Sequence, residues 1–216
     1  MNFEKERKLL VEKLKHEGII HSSQVEKAML KVKRELFVPE KYKDSAYVDT
    51  PLPIPGGGTI SAPHMHAISL EELKLKPGEK FLEVGAGSGI VEAYVSEIFK
   101  GKGEIIGIEF IPETYEFGKK NLKKAGYTNV KFVCGDGSKG LPEEAPFDKI
   151  LVSAASPDIP KPLVEQLKVN GVILAIVGRP YGDQQLVYFK KLSNKKYVRK
   201  NLLPVIFVPL RGEYGY

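Results

Sequence analysis

The stretch Phe81-Leu82-Glu83-Val84-Gly85-Ala86-Gly87-Ser88-Gly89-Ile90 decides the fold of this chain. A short apolar run typical of a buried strand leads into a turn with three glycines, and an apolar segment of helical length follows directly. Glycine lets the turn pass close under a ligand because it has no Cβ. The N–H groups at the start of the helix then face whatever is bound. The stretch predicts a strand–turn–helix unit that binds a nucleotide-like ligand, with a purely structural tight turn as the alternative.

The segments after this unit continue to alternate between strands and helices. Near-continuous apolar strands separated by helices indicate a mainly parallel sheet with helices on both faces. Two late segments follow each other without a helix and predict an antiparallel C-terminal edge. The fold class is therefore α/β, with a Rossmann-like, doubly wound sheet. The predicted strands are Lys80–Val84, Glu104–Glu109, Val130–Cys134, Lys149–Ser153, Gly171–Gly178, Gln184–Lys190 and Tyr197–Val208, and the predicted helices between them are Ile90–Lys100, Pro112–Ala125 and Pro160–Leu167.

The N-terminal third of the chain has a different pattern. The first 38 residues show helical periodicity in two segments, with Ser22 or Ser23 as the cap of the second. A stretch rich in Pro and Gly follows over residues 40–63, and its interspersed aromatic and apolar residues favour an ordered loop. A third helix is predicted from Pro63. We expect one domain over residues 1–216, in which 1–78 hold the N-terminal helices and a substrate loop, 79–178 the cofactor-binding core and 179–216 the C-terminal antiparallel strands.

Composition limits the functional classes. The net charge is +6, but basic and acidic residues are interleaved, so nucleic acid is not the expected partner. Cys134 is the only cysteine, which excludes a disulfide framework and a cysteine-rich zinc site and fits a reducing, cytoplasmic location. No run of about 18 apolar residues is present, so no membrane span is expected. The excess of 28 Lys over 5 Arg and of 21 Glu over 6 Asp, with only 4 Gln, is typical of a hyperthermophile.

Three acidic residues at predicted strand ends indicate which ligand the turn binds. Glu109 ends the second strand, 20 residues after Gly89, where a carboxylate can accept both hydroxyls of a ribose. Asp136, in Cys134-Gly135-Asp136-Gly137, follows the third strand and suits a hydrogen bond to an adenine amino group, although a turn-forming role is the alternative. Glu83 lies directly before the turn, where it would repel a pyrophosphate but favour an ammonium or sulfonium. The pattern fits S-adenosylmethionine and fits NAD poorly, since a dinucleotide turn prefers Gly-x-Gly-x-x-Gly. It resembles the class I methyltransferases over residues 80–178.

A second group of motifs narrows the resemblance to one family. The segment Thr59-Ile60-Ser61-Ala62-Pro63-His64-Met65-His66, preceded by Pro55-Gly56-Gly57-Gly58, is similar to the protein-L-isoaspartate O-methyltransferase family and is specific to it. Further matching segments are Arg34-Glu35-Leu36-Phe37-Val38-Pro39, Ala46-Tyr47-Val48-Asp49-Thr50-Pro51-Leu52-Pro53-Ile54 and Phe207-Val208-Pro209-Leu210. The resemblance therefore runs nearly end to end. It implies methyl transfer from S-adenosylmethionine to the α-carboxylate of L-isoaspartyl residues in damaged proteins and peptides, with S-adenosylhomocysteine as product and no metal. Because the sequence has no obvious surplus apolar helix, we expect a monomer.

The resemblance also implies roles for individual residues. Ser61 corresponds to the family's active-site serine. Its expected role is to position the substrate carboxylate, since that group is already ionised at neutral pH and needs no general base. Without the resemblance, a helix N-cap is the favoured interpretation of Ser61. The cofactor-binding set is Glu83, Gly85, Gly87, Ser88, Gly89, Glu109, Phe110, Asp136 and Gly137, and the substrate-binding set is Thr59, Ile60, Ser61, Ala62, His66, Val208 and Arg211.

Other functions are weaker alternatives. A methyltransferase acting on RNA or a small molecule is supported only by the basic net charge, and an RNA enzyme would show clustered basic residues with base-stacking aromatics. A nicotinamide-dependent oxidoreductase conflicts with Glu83 and the shortened glycine motif. A non-catalytic module that senses an adenosine ligand would not need the Ser61 segment. A hydrolase is disfavoured because Gly-x-Ser-x-Gly is absent around Ser61.

Overall fold

The computed structural model describes residues 2–216, which form a seven-stranded sheet, a two-stranded hairpin and six α-helices. Short 3₁₀ turns fill much of the connecting chain. None of the helices in this part of the chain is long and apolar enough to cross a membrane. The helices are α1 (Phe3–His16), α2 (Ser23–Lys31), α3 (Pro63–Leu73), α4 (Ile90–Phe99), α5 (Pro112–Ala125) and α6 (Lys161–Glu165). The strands are β1 (Leu52–Pro53), β2 (Thr59–Ile60), β3 (Lys80–Val84), β4 (Glu104–Glu109), β5 (Val130–Cys134), β6 (Phe147–Ser156), β7 (Leu167–Gly178), β8 (Gln184–Lys191) and β9 (Tyr197–Val205).

The order of the strands fixes where a ligand can bind. The large sheet runs β5-β4-β3-β6-β7-β8-β9, with the first five strands parallel and β8 and β9 antiparallel. The chain leaves β3 toward β4 and β5 and then returns to β6 on the other side of β3. Open α/β sheets bind ligands outside the carboxyl ends of the strands at such a reversal. The predicted fold class and its antiparallel edge are confirmed.

Alternating residues of the strands fill two separate apolar layers. Phe81 and Ile105 pack with the N-terminal helices and α4, whereas their neighbours Leu82 and Ile106 pack in a second cluster with Phe147. Successive side chains of a strand point to opposite faces, so the two clusters lie on the two faces of the sheet. Burial on both faces explains why these strands read as continuous apolar runs.

The N-terminal helices are defined by their caps. The side chain of Asn2 accepts a hydrogen bond from the Lys5 N–H at the start of α1, and Ser22 accepts one from Val25 at the start of α2. Ser22, rather than Ser23, is therefore the cap. Side-chain oxygens at these positions satisfy helix N–H groups that have no intrahelical partner. α2 packs against α4, which joins this helical segment to the sheet.

The predicted helix over 160–167 was wrong at its C-terminal end. α6 stops at Glu165, and the side chain of its C-cap residue Gln166 binds the neighbouring chain. The Gln166 side-chain oxygen accepts a hydrogen bond from the Leu141 N–H at 2.8 Å, and its side-chain nitrogen donates one to the Lys139 carbonyl at 2.8 Å. The backbone carbonyl of Gln166 accepts a hydrogen bond from the Phe147 N–H. Leu167 consequently pairs with Phe147, so β7 begins earlier than the sequence pattern indicates.

Gly89 in the glycine-rich turn provides a test of the local packing. Its φ is +82°, and a Cβ there would lie 2.8 Å from Cγ of Leu122 on α5. We expect Gly89→Ala to lower the free energy of unfolding by about 3 kcal/mol, because a strained φ and an overpacked contact each cost roughly 1–3 kcal/mol. Gly126→Ala is the matched control, since its φ is +86° with nothing within 4 Å of a Cβ. Denaturant unfolding measures both, and equal losses would contradict the packing argument.

Candidate active site

A cavity opens at the carboxyl ends of β3, β4 and β6, at the reversal of the strand order. Its floor is the glycine-rich turn, and its walls come from the β1–β2 hairpin, the start of α5 and the C-terminal segment. The lining residues are Ile54, Gly57, Gly58, Thr59, Val84, Gly85, Gly87, Ile108, Glu109, Phe110, Ile111, Thr114, Gly137, Ser153, Ala154, Tyr181, Val208, Pro209, Leu210 and Arg211. The cavity therefore brings together residues that are up to 157 positions apart in the chain.

Glu109 holds the turn and the next helix together. One oxygen of its buried carboxylate accepts from the Gly87 N–H at 2.9 Å, and the other accepts from the Ile111 N–H at 2.9 Å. Each carboxylate oxygen has two lone-pair sites, so both can accept a further hydrogen bond from a ligand. The residue predicted to contact the ribose thus also fixes the two backbone segments on either side of it.

Glu83 places a carboxyl group beneath the turn. Its side chain is buried, lines the inner part of the cavity beside Ser61, and accepts a hydrogen bond from the Ser153 hydroxyl through Oε1. Oε2 has no hydrogen-bond partner. Burial, together with the charge of Glu109, raises the pKa of Glu83 to about 7, even though the hydrogen bond from Ser153 acts in the opposite direction. A buried oxygen without a donor fits a cationic ammonium and does not fit a phosphate.

Asp136 connects the site to the end of the chain. It accepts hydrogen bonds from the Ser138 hydroxyl at 2.6 Å and from the Glu213 N–H at 3.0 Å. Burial alone would raise the pKa of Asp136. The two hydrogen bonds and a third from the Ser138 N–H outweigh burial and hold the pKa below its usual value. Its neighbour Gly137 lines the cavity, whereas the Asp136 carboxylate binds the C-terminal segment. Its predicted contact with adenine stays a prediction.

The Ser61 segment lies at the inner rim of the cavity. The N-cap residue of α3 is Ala62, and no side chain caps this helix, so the N-cap interpretation of Ser61 is wrong. The Ser61 carbonyl accepts a hydrogen bond of 2.9 Å from Nη2 of Arg34, whose Nε donates to the Ala46 carbonyl at 2.8 Å. Arg34 is fully buried, so it holds the segment in place from inside the protein.

His66 is buried directly behind Ser61. Its Nδ1 lies 3.4 Å from Nη1 of Arg34, and its ring lies against Tyr94. Burial, assisted by the positive charge of Arg34 and by His64, holds the pKa of His66 well below its ordinary value. His66 is therefore neutral at physiological pH and lines the cleft without adding charge.

A second, more open groove continues from the cavity past Ser61. The C-terminal segment after β9 forms one wall, because Gln184 binds both the N–H and the carbonyl of Phe207 and draws it away from the sheet edge. β9 therefore ends at Val205 and not at Val208 as predicted. Tyr181 and Val208 line both spaces. The groove is lined by Pro51, Thr59, Ser61, Ala62, His64, Met65, Tyr181, Leu203, Pro204, Val205, Ile206, Phe207 and Val208.

The structure brings nearly all sequence-predicted site residues to these connected spaces. Ile60 and Ser88 line the inner part next to Glu83, and Phe110 and Arg211 line the outer part. Gly89 starts α4 below the turn and packs on α5. Sequence reasoning gave no role to Ser153, Gln184 or Arg34. Arg34 lies in a quoted family motif, which was its only signal, and nothing in the sequence singled out the other two.

Three features define the class of this protein: a parallel sheet with a glycine-rich turn at its reversal, an acid at the end of the following strand, and a buried carboxyl group under the turn. They place the chain among the class I S-adenosylmethionine-dependent methyltransferases. Within that class, the chain belongs to the protein-L-isoaspartate(D-aspartate) O-methyltransferase family, whose model matches residues 5–215. The resemblance inferred from the motifs is confirmed.

Individual relatives match over nearly the whole chain. A protein-L-isoaspartate O-methyltransferase of Pyrococcus horikoshii is 53% identical over 209 residues, which are 97% of this chain and 94% of the relative. Protein-L-isoaspartate O-methyltransferase 2 of Archaeoglobus fulgidus is 51% identical and covers 100% of this chain and 97% of its own. The structure is also similar to a crystal structure of a protein-L-isoaspartate O-methyltransferase from Plasmodium falciparum in complex with S-adenosyl-L-homocysteine. The TM-score is 0.85 at 31% identity, and the match covers 98% of this chain and 99% of the other.

Proposed function

We propose that this chain transfers a methyl group from S-adenosylmethionine to the α-carboxylate of L-isoaspartyl residues in damaged proteins and peptides. The observation that carries the proposal is the position of Ser61, at the junction between the cofactor-type cavity and the open groove along the C-terminal segment. Methylation converts the carboxylate into an ester with a good leaving group. The following backbone nitrogen then closes a succinimide, and part of that ring hydrolyses to normal aspartate.

The two spaces divide the site residues by role. The cofactor supplies an electrophilic methyl group on its sulfonium. Glu109 receives the ribose hydroxyls, and Glu83 receives the ammonium end. The complete cofactor set is Glu83, Gly85, Gly87, Ser88, Gly89, Glu109, Phe110, Asp136 and Gly137, and the substrate set is Thr59, Ile60, Ser61, Ala62, His66, Val208 and Arg211.

The chemistry requires orientation and not proton transfer. The substrate carboxylate is ionised at neutral pH, so the site needs no base to create the nucleophile. The Ser61 hydroxyl donates a hydrogen bond to one carboxylate oxygen and directs the other toward the methyl carbon. Holding reacting atoms in line is worth up to roughly 7–11 kcal/mol. Neutral His66 is consistent with this role, since it neither withdraws nor supplies a proton at physiological pH.

Arg34 favours an anionic substrate at Ser61. Its guanidinium is fully buried, and its hydrogen bonds go to two backbone carbonyls and to the His66 ring, so no carboxylate hydrogen-bonds to it and neutralises it directly. A positive charge in a low-dielectric interior acts over a longer distance than one in water. The charge behind Ser61 therefore favours an anionic group, such as a carboxylate entering the groove, over a neutral small molecule.

The deciding experiment compares two peptides that differ only in one linkage. We expect radiolabelled methyl transfer to a peptide containing L-isoaspartate to exceed that to its L-aspartyl twin by at least about 100-fold, because the twin carries its carboxylate one carbon away from the required position. Initial rates with S-adenosylmethionine give the ratio. Equal labelling of the two peptides, or none, would refute the proposal.

The proposal includes a setting for the enzyme. The single cysteine supports a reducing, cytoplasmic location, and the Lys- and Glu-rich composition supports a thermophilic source. The N-terminal helices already pack on the sheet within one chain, which supports a functional monomer in which residues 1–78, 79–178 and 179–216 form one domain. A sedimentation measurement tests the monomer, and a melting temperature below about 65 °C would refute the thermophilic origin.

A further inference from the structure

Glu92 on α4 is a fully buried carboxyl group that the proposed mechanism does not use. Its side chain is 0% exposed, and neither of its oxygens has a hydrogen-bond partner. Among residues 2–216, the only other buried side-chain oxygen or nitrogen without a partner is Oε2 of Glu83. Buried polar groups in proteins are nearly always paired, so three unpaired oxygens on two residues require an explanation.

The backbone register places the two carboxyl groups side by side. Glu83 on β3 pairs with Gly107 on β4, and paired residues of parallel strands direct their side chains to the same face. Gly107 has no side chain, and a Cβ added there would overlap Oε1 of Glu92. The Glu92 carboxyl group therefore fills the space beside Glu83 that a side chain at position 107 would otherwise occupy.

Two adjacent buried carboxyl groups do not both ionise. Burial raises the pKa of Glu83 to about 7, and burial together with the neighbouring Glu83 raises the pKa of Glu92 well above its ordinary value. The proton is therefore held on Glu92, which can donate it to a Glu83 oxygen. This hydrogen bond pairs two of the three oxygens, Oε2 of Glu83 and the protonated oxygen of Glu92.

We propose that Glu92 is a positioning residue that remains protonated, donates a hydrogen bond to Glu83, and so fixes the Glu83 carboxylate as the negative charge that receives the cofactor's ammonium group. The inference rests on the proposed function and extends it to a residue behind the cavity wall. Glu83 lines the inner cavity, whereas Glu92 is fully buried and does not line it.

The pair makes cofactor binding depend on pH. The groups that face Glu83 are Glu92 from α4, Ser153 from β6 and Glu109 from β4, and His66 from α3 lines the same part of the cavity. A cationic ligand favours ionised Glu83 and lowers its pKa, so binding below about pH 7 releases a proton. Affinity should therefore rise as the pH increases toward 7 and level off above it.

The test measures S-adenosylhomocysteine binding by titration calorimetry from pH 5.5 to 8.5 in buffers of different ionisation enthalpy. For the unaltered chain we expect release of roughly half a proton at pH 7. Glu92→Leu removes the donor and should move the midpoint of the affinity profile up by about one to two pH units, which weakens binding at pH 7 about 5- to 50-fold. Glu92→Gln keeps a donor at the same place and should restore the midpoint.

The outcomes separate this inference from the proposed function. An unchanged midpoint in Glu92→Leu, or an equal shift in Glu92→Gln, would overturn the role of Glu92, while the proposed function would stand. Failure of the unaltered chain to bind S-adenosylhomocysteine at any pH would overturn the proposed function. If Glu92→Leu does not fold, the infrared C=O band of a protonated carboxylic acid serves instead. It should be present at pH 8.5, where Glu83 is ionised, in the ligand-free chain and lost in Glu92→Gln, and its absence from the unaltered chain at that pH would refute the shared proton.

Discussion

Ser61→Ala is expected to lower kcat for an isoaspartyl peptide about 100-fold while changing the affinity for S-adenosylhomocysteine less than about twofold. The hydroxyl does not cap α3, so its removal leaves the helix intact. Under the proposed mechanism, the variant loses the hydrogen bond that holds the substrate carboxylate in line with the methyl carbon. Losing one positioned donor typically costs 10²–10³ in rate. Steady-state kinetics with calorimetric binding separates the two quantities.

The control for Ser61→Ala is a second variant that also loses one serine hydroxyl, but at a position outside the site. Ser96→Ala on α4 removes a group that hydrogen-bonds Asn129 and lines neither the cavity nor the groove. We expect this variant to keep full turnover. A loss of S-adenosylhomocysteine binding in Ser61→Ala would mean that the residue supports the fold of the cavity and does not position the substrate.

Glu109→Ala is expected to weaken S-adenosylhomocysteine binding by at least about 100-fold and to destabilise the fold as well. The carboxylate accepts from the N–H groups of Gly87 and Ile111, and each buried donor left unpaired costs about 1–3 kcal/mol. Two lost hydrogen bonds from ribose hydroxyls to a charged acceptor account for the fall in affinity. Calorimetry and denaturant unfolding measure the two effects on the same preparation.

Two further variants serve as controls for the loss of stability and of affinity in Glu109→Ala. Glu113→Gln removes a nearby exposed charge in the first turn of α5 and should change neither quantity. Glu109→Gln keeps one acceptor oxygen and presents an amide donor to one of the two N–H groups, so we expect an intermediate result. Full affinity in Glu109→Ala would contradict the assignment to the ribose.

The elements predicted most accurately from the sequence are those decided by local signals. β3, β4, β5 and α5 have the predicted bounds, because the apolar runs of the strands and the helix between Pro112 and Gly126 are bounded by residues that interrupt the pattern. The ends of α6 and β9 were mispredicted. They depend on the amide side chains of Gln166 and Gln184, which bind backbone groups distant in sequence, and no local pattern reveals such contacts.

The candidate site shows the same division. The glycine-rich turn, Glu109 and the Ser61 segment carry recognisable spacing, so their convergence on one cavity could be predicted. The acidic position of Glu83 was also visible, but its partner was not. In the sequence, Glu92 looks like any other charged residue on a helix. The structure shows that its carboxyl group is buried and occupies the space left by the missing side chain at Gly107.

The C-terminal segment that fastens Asp136 also bears on how the molecule ages. Two dipeptides in the chain, Asp136-Gly137 and Asn170-Gly171, are of the kind in which a backbone nitrogen most readily attacks the preceding side chain. At Asp136 the carboxylate is held by three donors and kept ionised, which makes it a poor electrophile for ring closure. Asn170 is exposed, has a φ of +67°, and lies in an irregular part of β7. We therefore expect isoaspartate to form first at Asn170, at the far end of the sheet from the catalytic cleft and at a surface position accessible to a second copy of the same molecule.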